Sequence, residues 1–212
     1  MIPDAITAAF VAALLLALAT RFWLATRQMR HVAAHRGAVP APFAGTVTLA
    51  AHQRAADYTL AKGRFGLLSA AFAAAVLVGW TLLGGLDALN QWVLAAVQPR
   101  LGDLGYQLAL LAAFALVGAA IELPFEWWDT FRLEQRFGFN RMTPKLFVAD
   151  LLKNTVVAAV IGLPLAALVL WLMARAGAWW WLWAWGVWMG FNLLLLVIYP
   201  TLIAPLFNKF EP

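Results

Sequence analysis

The sequence predicts an all-α integral membrane protein with about five transmembrane helices. Of its 212 residues, 64% are apolar and only 12% are Asp, Glu, Lys or Arg, whereas soluble domains contain roughly 25% charged residues. The apolar residues form uncharged blocks close to the roughly 20 residues that a helix needs to cross a bilayer. Composition and block length together argue against a water-soluble globule.

Five uncharged blocks give the predicted spans. Only Asp4 precedes the first block, and a signal peptide would have positive residues there, so we interpret this block as a retained helix. The fourth block contains Pro164, and Pro200 and Pro205 are expected to bend or end the fifth. The spans are roughly 3–26, 65–86, 104–121, 154–174 and 177–200, within a single transmembrane domain of residues 1–212.

The distribution of positive charge predicts how the spans are oriented. Of the 15 Lys and Arg residues, only Arg100 and Arg175 fall in the second and fourth connections. The other thirteen lie in the segments around the first and third connections, starting with Arg21 at the end of span one, or after span five. Because short cytoplasmic loops carry the excess of Lys and Arg, we predict an N-out/C-in topology. The same residues flank spans and form no basic stripe, which argues against nucleic-acid binding.

The connection between spans three and four is predicted to be a helical cytoplasmic loop. Gly138 suits a left-handed position at the end of a helix. Thr143 suits an N-cap, and Pro144 suits the first position of the helix that follows. These residues predict a helix, a tight turn and a second helix.

Several polar residues of this loop are expected to act structurally. Pro124 should bend the chain as it leaves span three. Asp129 with Arg132, and Asp150 with Lys153, are each spaced i,i+3 and can form ion pairs on a helix.

The remaining polar residues give weak signals for chemistry. For Glu122, at the end of span three, a functional and a structural role are equally good interpretations, because acids within the membrane are often functional. His31 and His35 have the i,i+4 spacing of a helical zinc pair, but position 32 is Val rather than the Glu that metalloprotease chemistry requires. We therefore favour interfacial histidines. Cysteine is absent, which excludes thiolate chemistry.

Three stretches of the chain resemble a known family in residue pattern, order and spacing. One is His52 to Tyr58, and another is the loop. The third lies at the end of the chain. The loop matches at Leu123-Pro124 through Thr130-Phe131, Glu134, Gly138-Phe139-Asn140, Thr143, Phe147, Asp150 and Lys153, and the end matches at Ile198-Tyr199, Ile203 through Phe210, and Pro212. This pattern is similar to that of the type I CAAX prenyl protease family.

The resemblance implies an all-helical membrane zinc metalloendopeptidase that encloses an intramembrane chamber. This chain would form part of the chamber and of the substrate entry. The substrates would be C-terminal peptides, prenylated or not, or membrane proteins. The implied partners are the lipid bilayer, a peptide or lipopeptide substrate and a C-terminal zinc protease domain of the same polypeptide. The Ala-, Arg- and Trp-rich composition suggests a bacterial inner membrane, with the catalytic side cytoplasmic.

The family's catalytic His-Glu-x-x-His and its downstream Glu have no counterpart in this sequence, in which no histidine follows His52. We therefore expect no catalytic residue, metal ligand or cofactor in this chain alone, which should be inactive, and zinc in the full-length parent. The resemblance instead implies structural positions in the chamber and loop and a hinge to the catalytic domain. The first set is Glu122, Pro124, Glu134, Gly138, Phe139, Asn140, Asp150 and Lys153, and the hinge is Pro205, Phe207, Asn208 and Lys209.

Two other functions remain open at the level of sequence. The chain could be a non-catalytic membrane scaffold that binds lipidated or misfolded proteins without cleaving them. It could also be a small transporter built on Glu122 and the proline-containing helices four and five. Inverted repeats would favour a transporter, and the sequence shows none.

Overall fold

The computed structural model describes residues 2–199, and this part of the chain is all-helical. Five long helices dominate, as predicted. A π-helical segment, Asp129–Glu134, and a single turn of helix, α4, follow the third of them. The helices are α1 (Ile2–His35), α2 (Leu49–Thr81), α3 (Gly85–Trp128), α4 (Gln135–Phe137), α5 (Pro144–Arg175) and α6 (Trp180–Ile198).

Five helical stretches are long and apolar enough to cross a membrane, which confirms the predicted number of spans. Their mean hydropathy lies between 1.5 and 2.6. Most of their large apolar side chains are exposed in the isolated chain, as expected for surfaces that face lipid. Pro164 lies inside α5, which continues as a helix on both sides of it.

The second predicted span, 65–86, extends beyond the helix that contains it. Helix α2 ends at Thr81, and Gly84 adopts the left-handed conformation with φ 78° before α3 begins at Gly85. Glycine has no Cβ and reaches positive φ without steric cost, so the Gly84-Gly85 pair allows this turn. An uncharged block does not reveal such a turn, because its residues are all apolar or small.

Helix α3 contains a break that the sequence analysis did not predict. Gly102 has φ 68° and ψ −170°, so two helical arms meet at this residue. The arms are joined by hydrogen bonds from Tyr106 to Asn90 and from Gln98 to Asp103. Pro124, where a bend was expected, lies within the helical part of α3.

The described chain divides into two compact units. The first contains residues 2–88 and 119–141, and the second contains residues 89–118 and 142–199. Few of the described residues are buried in either. In the first unit these are Ala56, Ala70, Leu133 and Phe137. In the second it is Val93, which is 1% exposed.

Helix α5 begins in the second unit as the sequence predicted. The Thr143 side chain accepts a hydrogen bond from the backbone N–H of Leu146 at 3.2 Å, and Pro144 occupies the first turn. The predicted ion pair between Asp150 and Lys153 also forms, with 3.6 Å between Nζ and the carboxylate. Helix α5 then packs against α6.

Candidate functional site

The polar side chains of the first unit concentrate where the N-terminal half of α2 meets the segment that follows α3. The sequence positions this half of α2 through Thr48, which caps the helix by accepting a hydrogen bond from the N–H of Ala51 at 3.2 Å. From Leu49 the helix continues without a break to Thr81, so residues 54, 58 and 62 form a stripe at i, i+4 and i+8. This stripe faces the segment 129–139.

Lys62 is the centre of the contact. Its Nζ lies 2.7 Å from Asp129 Oδ2 and 3.0 Å from Glu134 Oε1, so one ammonium group pairs with two carboxylates. Each of the three side chains is about one-third exposed, at 30 to 35%. Charge-assisted hydrogen bonds of this kind are stronger than neutral ones. Lys62 therefore ties α2 to both ends of the π-helical segment.

Tyr58 adds a second layer one helical turn away from Lys62. Its hydroxyl donates a hydrogen bond to Glu134 Oε1 at 3.2 Å. Its ring contacts Phe137 and Phe139 edge-on, with ring centroids 5.3 and 4.8 Å apart. The quadrupoles of aromatic rings favour such edge-to-face geometry. We call Tyr58, Lys62, Asp129 and Glu134 the Lys62 network.

Arg54 holds the turn at the end of α4. Its Nη2 donates a hydrogen bond to the carbonyl oxygen of Phe137 at 2.6 Å. Gly138 has φ 78°, its N–H bonds to Gln135 O at 3.1 Å, and the N–H of Phe139 bonds to Glu134 O at 3.0 Å. These two bonds make a Schellman motif, which requires a left-handed residue where Gly138 stands. The predicted tight turn at Gly138 is thus confirmed.

The π-helical segment explains how two acids five positions apart reach one lysine. A π-helix bonds residue i to i+5 and is commonly found at functional sites. Asp129 and Glu134 are the two ends of this segment, and both contact Lys62. The predicted partner of Asp129 was Arg132, and that prediction was wrong. Asp129 instead pairs with a residue 67 positions earlier in the chain.

A second ion pair ties α2 to the end of α1. Arg36 donates two hydrogen bonds to Asp57, of 2.7 and 2.8 Å, one to each carboxylate oxygen. This bidentate geometry suits the planar guanidinium group. The hydrogen bond to Asp57 raises the pKa of the Arg36 guanidinium above its ordinary value. Both carboxylate oxygens of Asp57 therefore accept a hydrogen bond from Arg36.

A cavity of about 340 Å³ lies beside this ion pair, between α2 and α4. Its lining residues are Asp57, Leu60, Ala61, Arg64, Arg136 and Phe137. We call it the arginine cavity. All of these residues belong to the first unit.

The three histidines lie at the same end of α1 and α2. His35 Nδ1 donates to the carbonyl oxygen of His31 at 2.8 Å, and His52 Nε2 donates to the carbonyl oxygen of His35 at 3.0 Å. Within residues 2–199, no group of three or more His, Asp or Glu residues has the geometry to hold a metal ion.

The predicted structural residues are distributed over both units. Glu134 belongs to the Lys62 network, Gly138 and Phe139 form the turn beside it, and Asn140 follows directly. Asp150 and Lys153 lie in the second unit. The structure does not bring Glu122 and Pro124 into the network. Both are exposed on α3. The predicted hinge, Pro205, Phe207, Asn208 and Lys209, lies outside the described residues.

The sequence analysis missed Arg36, Tyr58, Lys62 and Asp129 as members of one contact region. One signal could have indicated it. Arg54, Tyr58 and Lys62 repeat every four residues directly before an uncharged block, and helical residues spaced in this way share a face. A polar face beside a span needs a polar partner, and the acidic segment 122–134 is the richest source of carboxylates in the chain.

The chain is similar to known proteins over most of its length. A "CAAX prenyl protease 1 homolog" from Mus musculus is 30% identical over 210 residues, covering 96% of this chain and 44% of the relative. The homolog of the same name from Arabidopsis thaliana is 29% identical over 179 residues, covering 82% of this chain and 42% of the relative. The chain thus spans less than half the length of these curated relatives.

The fold also has a close match among solved structures. The crystal structure of S. mikatae Ste24p superimposes with a TM-score of 0.87 at 22% identity, covering 95% of this chain and 47% of that one. At this identity the likeness shows the fold. Residues 28–209 match the family model described as "CAAX prenyl protease N-terminal, five membrane helices", in agreement with the five long helices. The chain therefore belongs to the CAAX prenyl protease N-terminal family, as the sequence resemblance implied.

Proposed function

We propose that this chain forms the membrane-embedded part of a zinc metalloendopeptidase, contributing to the intramembrane chamber and to substrate entry. The observation that carries the proposal is the match of residues 28–209 to the N-terminal family model. The fold likeness to Ste24p over 95% of the chain supports it. In this assignment residues 1–212 act as one N-terminal membrane domain, and the chemistry belongs to a C-terminal zinc domain of the same polypeptide.

The names of the relatives indicate the substrate class. They are called CAAX prenyl proteases, and we extend this class to the full-length protein here. The substrates are C-terminal peptides, prenylated or not, or membrane proteins that present such ends. The helices of this chain offer them an apolar wall, and the bilayer supplies them laterally. Zinc belongs to the full-length protein.

Within this function, the Lys62 network holds the segment 129–139 at a fixed position on α2. Glu134, Gly138, Phe139 and Asn140 shape the loop that lies near the catalytic domain, and Asp150 with Lys153 anchors the start of α5. Support comes from the Schellman turn at Gly138 and from the three polar contacts that α2 makes with this segment. Pro205, Phe207, Asn208 and Lys209 connect the last helix to the catalytic domain as a hinge.

The orientation and location follow from charge. Thirteen of 15 Lys and Arg residues flank the side that we assign to the cytoplasm, which gives N-out/C-in and a cytoplasmic loop. Composition suggests a bacterial inner membrane. The relatives named above are eukaryotic and lend that assignment no support.

The test uses the full natural polypeptide, purified in detergent and reconstituted into vesicles. A farnesylated peptide ending in a CAAX sequence, labelled on both sides of the cleaved bond, reports turnover with and without a zinc chelator. A photoreactive group on the farnesyl chain reports where the peptide sits. Chelator-sensitive cleavage and cross-links to helices of residues 2–199 are expected.

Two results would overturn the proposal. Peptide binding without chelator-sensitive cleavage would identify a non-catalytic scaffold instead. Cleavage with cross-links confined to the region after residue 212 would remove the chamber role of this chain while leaving the protease assignment intact.

A further inference from the structure

We propose that the arginine cavity binds the phosphate of an anionic phospholipid headgroup. The cavity lies wholly within the first unit and has a volume of about 340 Å³. Ligand pockets have volumes of roughly 300 to 1,000 Å³, so a phosphodiester with part of its glycerol fits this space. Nothing in the proposed protease function requires the cavity.

One face of α2 supplies most of the lining. Asp57, Leu60, Ala61 and Arg64 follow one another at i, i+3, i+4 and i+7, the spacing of a single helix face. Leu60 and Ala61 give this wall an apolar middle between two polar ends. The buried ring of Phe137 contributes a further apolar surface from α4. The lining thus contains both apolar and charged side chains.

The charge of the lining is positive and in excess. Asp57 already forms two hydrogen bonds with Arg36, so its charge is compensated from outside the cavity. Arg64 makes no hydrogen bond or ion pair with any residue in the range 2–199. The Arg136 guanidinium lies over the ring of Phe137, at 5.7 Å from its centroid, and, with the hydrogen bond from Arg36, its charge helps to lower the pKa of the Asp57 carboxyl. Two guanidinium groups are therefore available to an anion, and their planar donors match phosphate geometry.

The depth of Arg64 indicates which phosphate source the cavity meets. Arg64 directly precedes the uncharged residues 65–86, so it lies where α2 enters the hydrocarbon core. Lipid phosphates are concentrated at this level. Basic pockets beside transmembrane helices on the cytoplasmic side are known to bind anionic headgroups, and charge predicts that side for Arg64.

The experiment measures binding of short-chain phospholipids to the full natural polypeptide in a neutral detergent. Dioctanoyl phosphatidylglycerol, dioctanoyl phosphatidylcholine and inorganic phosphate are titrated separately, with native mass spectrometry counting bound molecules. The double variant Arg64→Gln with Arg136→Gln is compared with the parent. Because each basic residue near an anionic lipid contributes about fivefold, we expect phosphatidylglycerol to bind roughly tenfold or more weakly to the double variant.

A matched control removes the same charge elsewhere. Arg141 and Lys145 are exposed and lie outside the cavity, so Arg141→Gln with Lys145→Gln should change phosphatidylglycerol binding by less than about twofold. If the double variant proves unstable, Arg64→Gln alone tests the proposal. Arg64 is exposed and has no hydrogen bond or ion pair within residues 2–199, so its substitution should not destabilise the fold. This single variant should weaken binding by about fivefold.

Three results would overturn the proposal. Equal losses in the cavity and control variants would indicate a general charge effect. Equal binding of phosphatidylcholine and phosphatidylglycerol by the parent would exclude recognition of an anionic headgroup. Inorganic phosphate that binds the parent as tightly as the lipid does would make the cavity a site for a soluble anion.

Discussion

The two units of this protein hold their helices in different ways. In the first unit, α2 contacts distant parts of the chain through several polar side chains. These contacts include Arg36 with Asp57, Arg54 with Phe137, Tyr58 with Glu134, and Lys62 with Asp129 and Glu134. In the second unit, the ion pair of Lys153 with Asp150 joins residues three positions apart on a single helix. Hydrogen bonds from Tyr106 to Asn90 and from Gln98 to Asp103 join the two arms of α3.

This difference shows which interactions select one arrangement of helices in a membrane domain. Contact with another helix stabilises an apolar side chain little more than contact with lipid does, because lipid tails are equally apolar. Polar contacts have directions and defined partners, so they select one arrangement. Single polar substitutions on α2 should therefore destabilise the first unit, whereas loss of the Asp150–Lys153 pair should have little effect on the second. The variants that follow test this contrast in the full natural polypeptide, by thermal and denaturant unfolding in detergent.

The largest effect is expected for Gly138→Val in the first unit. Gly138 has φ 78°, and a Cβ at this position would lie 3.1 Å from Arg54 Nη2. A β-branched residue is strained in the left-handed conformation and also crowds Arg54. We therefore expect the free energy of unfolding to fall by about 2 to 3 kcal/mol. Protease activity should fall with it. Gly118→Val is the control, because a Cβ there has open space around it.

Gly138→Asn sharpens the same test. Asparagine tolerates the left-handed region better than other residues with a side chain. It should recover at least half of the stability lost with valine. If valine and asparagine were equally harmful, crowding against Arg54 rather than backbone conformation would be the cause.

Lys62→Met is expected to have the next largest effect. It leaves Asp129 and Glu134 close together without their shared cation, which lies 2.7 and 3.0 Å from them in the parent. Because these side chains are about one-third exposed, solvent screens part of the repulsion, and we expect a loss of about 1 to 2 kcal/mol.

A triple variant tests the cause of that loss. Lys62→Met combined with Asp129→Asn and Glu134→Gln should be more stable than Lys62→Met alone, since the charges left without a partner are gone. Equal stability of the two would mean that Lys62 acts through packing of its aliphatic chain.

Tyr58→Phe should cost less, about 0.5 to 1.5 kcal/mol. The substitution removes the hydrogen bond to Glu134 and keeps the ring against Phe137 and Phe139. Tyr58→Leu removes the edge-to-face contacts as well and should cost about 0.5 to 1.5 kcal/mol more for each. Equal values for the two variants would assign the whole contribution of Tyr58 to its hydroxyl.

Lys153→Met in the second unit should have the smallest effect, less than about 0.5 kcal/mol. Its ion pair with Asp150 spans 3.6 Å, and 46% of the lysine side chain is exposed. A loss as large as that of Lys62→Met would remove the contrast between the two units.

The sequence predicted the features that depend on neighbouring residues. Uncharged blocks gave the five helices, Thr143-Pro144 gave the start of α5, and Gly138 gave the left-handed turn. The i,i+3 pair of Asp150 and Lys153 was also predicted, because its geometry is set by a single helix. In each of these cases the deciding interaction lies within a few residues.

The features that it failed to predict depend on residues far apart in the chain. Local spacing assigned Asp129 to Arg132, but Lys62 lies closer to it in space, and nothing in the spacing shows which helix covers that face.

Other missed features are local but leave no mark in the pattern of the sequence. The extra residue of the π-helical turn changes which side chains share a face after position 128. The breaks at Gly84 and Gly102 were missed because positive φ leaves no pattern in hydropathy.

The length of α2 sets a distance between the bilayer and the loop. Ten residues separate Arg54, which holds the turn at Phe137, from Arg64, which precedes the uncharged block. At 1.5 Å per residue, the turn stands about 15 Å from the edge of the hydrocarbon core, measured along the helix axis. This spacer is a rigid rod, so a thicker or thinner membrane would tilt or shift the whole assembly without stretching the connection. The distance along α2 from the loop to the level of Arg64 is thus a property of the protein and independent of the membrane in which it resides.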